Sequence, residues 1–259
     1  MSPDRRQHRG AHPEDRKLFD GAHLPRLRAA ASDLSWLLGR DYATRAALKL
    51  VGDRHALDER QRLAVSRAAC SDAQASARAA RRVPLESLRG AELIVDGFNL
   101  LITTEAALGG GLVLLCRDGC ARDLSSVHGS YRSVRETGAA IALVGDALAE
   151  LRPASVKWLL DRPVSNSGRL AEKIREVARA RGWAWEVETV FNPDVEIARS
   201  ERVAITSDST ILDAAPRWAN LAAHLVARLP VAWVVDLSEG NINMDGQDGQ
   251  DREEMMNAE

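Results

Sequence analysis

Beyond residue 90 the chain alternates short apolar runs with amphipathic stretches, and this alternation constrains its fold more than any other feature. The runs are ELIVD (92–96), GLVLLC (111–116), VKWLLD (156–161), WAWEVETV (183–190), RVAITSD (202–208) and VAWVVD (231–236). The clearest helical stretches between them are TGAAIALVGDALAEL (137–151), SGRLAEKIREVARARG (167–182) and RWANLAAHLVARL (217–229). Strands that alternate with helices build βαβ units, and hence an α/β fold whose largely parallel sheet carries helices on both faces. Crossovers of this kind are right-handed. WAWEVETV alternates apolar with polar residues and so belongs nearer an edge of that sheet.

The first third of the chain follows a different rhythm. LPRLRAAASDLSWLLGR, YATRAALKLVGD, LDERQRLAVSRAAC and DAQASARAARR repeat apolar residues at helical spacing, and Pro84 interrupts the pattern. The expected organisation is a disordered basic segment over 1–12, a small all-α domain over 13–89, an α/β domain over 90–237 and a disordered acidic tail over 238–259. Charge follows these divisions. Residues 1–89 carry 18 Lys/Arg against 11 Asp/Glu, residues 90–236 carry 16 against 19, and the remainder 1 against 7. A basic front beside a mildly acidic body suggests different tasks for the two. No apolar run approaches the ~20 residues of a membrane span, and the N-terminal charges are not followed by the apolar stretch of a secretory signal. Three cysteines, Cys70, Cys116 and Cys120, are an odd number and fit a reduced, cytoplasmic setting. The lone CRDGC reads as ordinary core or loop thiols.

The apolar runs share an ending. Asp96, Asp161, Asp208 and Asp236 each close a strand. Parallel strands bring their carboxyl ends to one edge, where ligands bind in open α/β sheets. Asp194 and Asp213 could join that edge, and Asp118 lies in a looser loop. Clustered carboxylates raise one another's pKa, and a hard cation such as Mg²⁺ or Mn²⁺ compensates them better than a thiol-seeking metal. A partly hydrated ion held by aspartates suits phosphoryl-group chemistry. The competing reading is that each Asp caps the helix after its strand, or, for Asp161, pairs with Arg162. Asn99 could orient Asp96 or cap its own helix, and Glu105 could face the same edge. In PVSNSG, Ser165, Asn166, Ser167 and Gly168 offer hydroxyls and N–H groups at a helix start, which makes either an anion site or a simple cap.

LIVDGFNLL resembles the first strand of the PIN-like nucleases, above all their NYN branch, and RVAITSDSTILD resembles a later strand ending in a hydroxyl residue and an aspartate. The resemblance covers residues 91–236. It implies a Rossmann-like sheet, a carboxylate pocket for Mg²⁺ or Mn²⁺ and cleavage of RNA. It makes Asp96 and Asp208 the principal ligands, adds Asp161 and Asp194, and makes Asn99 and Ser207 supporting residues. Glu105 and Asp118 are candidates for the acidic residue of a middle helix. The PVSNSG loop departs from the family pattern. The helical front resembles an uncharacterised prokaryotic family with an N-terminal domain of unknown function.

The expected function is a metal-dependent ribonuclease in which Asp96, Asp161 and Asp208 act in catalysis. Arg60, Arg62, Arg67, Arg78, Arg81 and Arg82 of the helical domain would hold the nucleic-acid backbone, giving affinity with little sequence choice. Aromatic residues are only 4% of the chain, which gives little support for base stacking. The alternatives are a non-catalytic nucleotide- or phosphate-binding regulator and a protein-interaction module. A membrane partner is not expected, and a homo-oligomer is left open.

Overall fold

The computed structural model describes residues 7–125 and 131–238. Its first part is helical: α1 (Asp15–Leu18), α2 (Leu24–Leu38), α3 (Thr44–Arg54), α4 (Glu59–Ala68) and α5 (Asp72–Arg81). Then follow β1 (Glu92–Asp96), α6 (Gly97–Leu108), β2 (Leu112–Leu115), β3 (Ala121–Asp123), α7 (Thr137–Leu151), β4 (Ser155–Asp161) and α8 (Ser167–Arg181). The chain continues through β5 (Trp185–Val190), α9 (Pro193–Ala198), β6 (Val203–Ile205), α10 (Ser209–Ala214), β7 (Trp218–Ala219), α11 (Leu221–Ala227) and β8 (Trp233–Asp236).

Local chemistry accounts for the helices. In α2 the buried Leu27, Ala30, Ala31, Leu34 and Leu37 recur every three or four residues and give it one apolar face. In α5, Ser71 and Gln74 form a reciprocal capping box, with bonds of 3.1 and 3.0 Å. The start of α6 depends on Gly97, because a Cβ there would meet Leu160 Cδ2 at 2.6 Å and the Leu159 carbonyl at 2.9 Å. Only glycine lets the turn after β1 pass so close to β4.

Five strands form one all-parallel sheet in the order β5-β4-β1-β6-β7, with Asp96 in register with Leu159 and Val95 with Ile205. The Rossmann-like α/β architecture and the preceding helical region are therefore as expected, and WAWEVETV occupies an edge. Alternation along β1 fixes the two layers. Leu93 and Val95 pack with α6, α7 and α8, whereas Ile94 packs with Ile197, Ile211 and Leu212 of α9 and α10.

Three expectations need correction. GLVLLC and VAWVVD do not join the five-stranded sheet. They pair in parallel as β2 and β8, with β3 antiparallel to β2, in a separate three-stranded sheet. Leu112 and Leu114 face the helical part and share a core with Leu27, Leu34 and Val65, while Val113 turns to the other core. The apolar residues of the front helices are thus covered by strands from far along the chain. Second, RWANLAAHLVARL is not helical throughout: Trp218, fully buried, and Ala219 form β7, and helix begins only at Leu221. Third, residues 7–12 do not match an unstructured segment. Arg9 is 2% exposed, with its Nε bonded at 2.8 Å to the buried Glu105. Residues 1–6 and the acidic tail beyond Ser238 lie outside the described residues.

Candidate functional site

The strand order fixes where a ligand would enter. From β1 the chain runs outward through β4 and β5, then returns to the other side of β1 for β6 and β7. The order reverses between β1 and β6, and the crevice beyond their carboxyl ends is the ligand position of such folds. Asp96 ends β1, and Thr206, Ser207 and Asp208 follow β6.

These residues are bound to one another. The Thr206 hydroxyl donates to Asp96 Oδ2 at 2.8 Å, and the Asn99 N–H donates to Asp96 Oδ1 at 3.4 Å. Asn99 Oδ1 accepts both the Ser207 N–H, at 2.9 Å, and the Ser207 hydroxyl, at 2.7 Å. Asp208 Oδ1 accepts the N–H groups of Thr210 and Ile211 at 2.8 and 3.3 Å and so caps α10. Each of these two aspartates therefore caps a helix, and the two flank the crevice. Thr206 was not singled out in the sequence, although its place between the strand and Asp208 marks it as a bonding group.

Four aspartates share this edge electrostatically. Burial, reinforced by the charges of Asp208 and Asp194, pushes the Asp96 carboxyl up to about 7 against the pull of Thr206 and Asn99. Asp161 is raised by burial and by Asp194, and Asp194 by burial and by Asp208. The Arg162 guanidinium lies over the Phe191 ring at 4.9 Å, and no ion pair with Asp161 occurs among the described residues. Hard carboxylate oxygens suit Mg²⁺ or Mn²⁺. However, among the described residues no three His, Cys, Asp or Glu side chains form a group able to hold a metal ion. The edge offers carboxylates for an ion that keeps water and takes its other ligands from a phosphate, not a closed protein cage.

Several other candidates lie elsewhere. Asp236 ends β8 of the second sheet, where it accepts the Ser238 N–H and hydroxyl. Glu105 is fully buried and held by Arg9, Tyr131 and the Thr137 hydroxyl. Asp213 takes the Arg78 guanidinium, at 2.7 and 2.9 Å. Asp118 takes Arg78 and Arg122, each at 2.6 Å. Helical phase in α6 and the partners of α5 decide these placements, and neither is local.

The arginines are also largely engaged within the molecule. Arg60 pairs with the buried Asp15, Arg62 with Asp53, and Arg67 with the carbonyls of Asp123 and Ser125. Arg78 is 2% exposed, and Arg81 bonds the carbonyls of Asp213 and Ala215. Arg82 makes a backbone bridge to Trp218 and has no ion pair among the described residues. In the PVSNSG loop Ser167 is buried, while Ser165, Asn166 and Gly168 are exposed. Asn166, with φ of 69°, binds the Tyr131 carbonyl through its side chain, and no side chain caps α8.

A cleft of about 420 Å³ opens beside Asp208, between α4, α6, β3 and the turn into α10. Phe98 and Ile102 contribute apolar lining, with Asn99, Thr103, Arg67 and Ser209 among its polar groups. A larger hollow, about 590 Å³, lies on the helical region beside Ala43, Lys49 and Arg62 and contains no carboxylate.

The fold and this edge define a Rossmann-like α/β protein with an acidic ligand crevice and a helical front. The chain belongs to the family described as "Domain of unknown function (DUF5616)", which matches residues 85–224, while residues 26–81 match "Protein of unknown function (DUF434)". It is similar to "Uncharacterized protein MJ0935" of Methanocaldococcus jannaschii, 35% identical over 186 residues that cover 72% of this chain and 88% of the relative. No solved structure matches it. No described helix is long and apolar enough to cross a membrane.

Proposed function

We propose that the chain is a divalent-metal-dependent nuclease, with RNA as its first substrate class, and that its reaction centre is the crevice between β1 and β6. The observation that supports this most is the raised pKa of Asp96 at the fold's ligand position, with Asp161 and Asp194 raised beside it. Uncompensated acidic charge is unfavourable at a structural edge, and its concentration there is a mark of function. The resemblance of LIVDGFNLL and RVAITSDSTILD to PIN-like, NYN-type nucleases points the same way.

Asp96 and Asp208 would hold Mg²⁺ or Mn²⁺ together with water and substrate phosphate, with Asp161 and Asp194 adding negative charge nearby. Such an ion, when bound, offsets phosphate charge and makes water a better nucleophile. The chain's own groups prepare the site. The Thr206 hydroxyl and Asn99 N–H fix the Asp96 carboxylate, and Asn99 fixes Ser207 and thereby the turn that carries Asp208.

The deciding assay is cleavage of labelled RNAs and single-stranded DNAs with Mn²⁺, Mg²⁺ or EDTA. Metal-dependent cutting is expected, with a loss of about 100-fold or more in Asp96→Asn and Asp208→Asn. Absence of cutting in every metal would turn the reading toward a binding protein.

A further inference from the structure

We infer that the cleft beside Asp208 holds one unpaired nucleotide of the substrate strand, so that the helical front takes part in selecting single-stranded nucleic acid. The inference rests on the nuclease reading for its ligand class and adds a site to it. The cleft's size, about 420 Å³, falls within the ~300–1,000 Å³ of small-ligand pockets. A duplex cannot enter such a space, whereas a splayed nucleotide can.

The lining chemistry matches a nucleotide part by part. Phe98, 7% exposed with its ring against Tyr131, and Ile102 give the cleft an apolar border against which a base can pack. The hydroxyls of Ser66, Ser125 and Ser209 line the cleft and make no hydrogen bond among the described residues. Each can donate or accept, as base edges and ribose require. Asn99 faces the cleft as well. Because its Oδ1 accepts two bonds from Ser207, its side-chain N–H₂ is the group left for a ligand. Arg67, partly exposed, lines the cleft with its Nη atoms on the carbonyls of Asp123 and Ser125 and an ion pair to Asp123 Oδ1 at 3.8 Å, beside the carboxylates of Asp123 and Asp208 and the buried Arg122 guanidinium. Ser66 and Arg67 belong to α4, and Ser209 opens α10, so both parts of the chain build the cleft.

The test is binding in EDTA, where metal-dependent turnover is suppressed. Fluorescence anisotropy of a labelled short single-stranded RNA is measured for the full chain and for Ser66→Trp, Ser209→Trp and Ser66→Ala. The two Trp variants fill the cleft from opposite walls, and circular dichroism melts show which of them remains folded. Each folded Trp variant is expected to bind about tenfold or more weakly, Ser66→Ala about two- to fivefold more weakly through loss of one hydroxyl, and a blunt RNA duplex about tenfold or more weakly than the single strand. Unchanged binding in a folded Trp variant, or equal binding of duplex and single strand, would overturn the inference. If the strand binds and the Trp variants block it, but nothing is cut in any metal, the nuclease reading fails and the cleft assignment stands. If RNA is cut with KM unchanged in the Trp variants, the reverse holds.

Discussion

Two aspartates of the same α/β body, Asp96 and Asp118, behave in opposite ways. At the crevice, Asp96 is buried with only a hydroxyl and a backbone N–H as donors, and burial together with neighbouring carboxylates raises its pKa to about 7. Asp118 also has a buried side chain, yet its pKa is lowered. Burial opposes this, but the charge and hydrogen bonds of Arg122, the Cys120 N–H and the charge of Arg78 prevail. Burial alone therefore does not set the direction of an aspartate's shift; the presence of a cation does. Arg78 and Arg122 also join the parts of the molecule. Arg78 links α5 to Asp213 and Asp118, and Arg122 reaches the Ser207 carbonyl at 2.7 Å while binding Asp118. The paired aspartate's arginines thus brace the turn beside the unpaired one.

This contrast can be broken at several points. Arg78→Met should have the largest effect, because it removes one of the two guanidinium groups on the buried Asp118 side chain, leaving Arg122, and takes the ion-pair partner from Asp213. A loss of about 3–5 kcal/mol is expected in urea unfolding near neutral pH. That loss should diminish in acid as Asp118 becomes protonated, since a lowered carboxylate contributes stability above its unfolded pKa and loses it as pH falls.

Asp96→Asn should act with the opposite sign. The folded chain holds a proton on Asp96 up to about pH 7, whereas the unfolded chain releases it near the ordinary value of 3.8. Folding stability therefore declines as pH rises between those values. The Asn variant escapes that decline. It should be more stable than the parent by about 2–4 kcal/mol at pH 8, and the advantage should vanish toward pH 4. Denaturant melts across pH measure this directly. A variant less stable at pH 8 would mean that the carboxylate is compensated after all.

Asn99→Ala should cost about 1–3 kcal/mol, because the Ser207 N–H and hydroxyl lose their acceptor. It should also loosen the turn between β6 and α10, seen as faster amide exchange at residues 207–211. The smallest effect belongs to Asp194→Asn. Removing that charge should lower the Asp161 titration midpoint toward the ordinary carboxylate value, read by NMR of the side-chain carboxyl carbon, with little change in stability. An unmoved midpoint would show that burial alone raises Asp161.

Much of this architecture was legible in the sequence because it follows from local periodicity. The four longer front helices, the strands ending in Asp96, Asp161 and near Asp208, and the edge position of WAWEVETV can all be read from residue spacing. The errors share a cause. GLVLLC and VAWVVD look like strands of the main sheet because a buried strand carries no label for its neighbour. RWANLAAHLVARL reads as a helix because Trp218 and Ala219 are too short a strand to show a period. Arg60, Arg62 and Arg78 read as an outward basic face because their acidic partners are 45, 9 and 135 residues away in the chain, at Asp15, Asp53 and Asp213. Glu105 looked available to the crevice because a helix's phase against its sheet is a packing outcome.

By itself the sequence determined six of the eight described strands, that carboxylates close or follow four of them, and that parallel pairing gives such ends a common edge. The reason is that side-chain alternation and turn chemistry act over a few residues. Only the tertiary structure decided which carboxylates share the crevice. It placed β1 between β4 and β6, moved Asp236 to another sheet, and gave Asp118 and Asp213 to Arg78. Strand order and charge pairing are settled by burial of apolar faces and desolvation of ions across the whole chain, and no short stretch of residues encodes either.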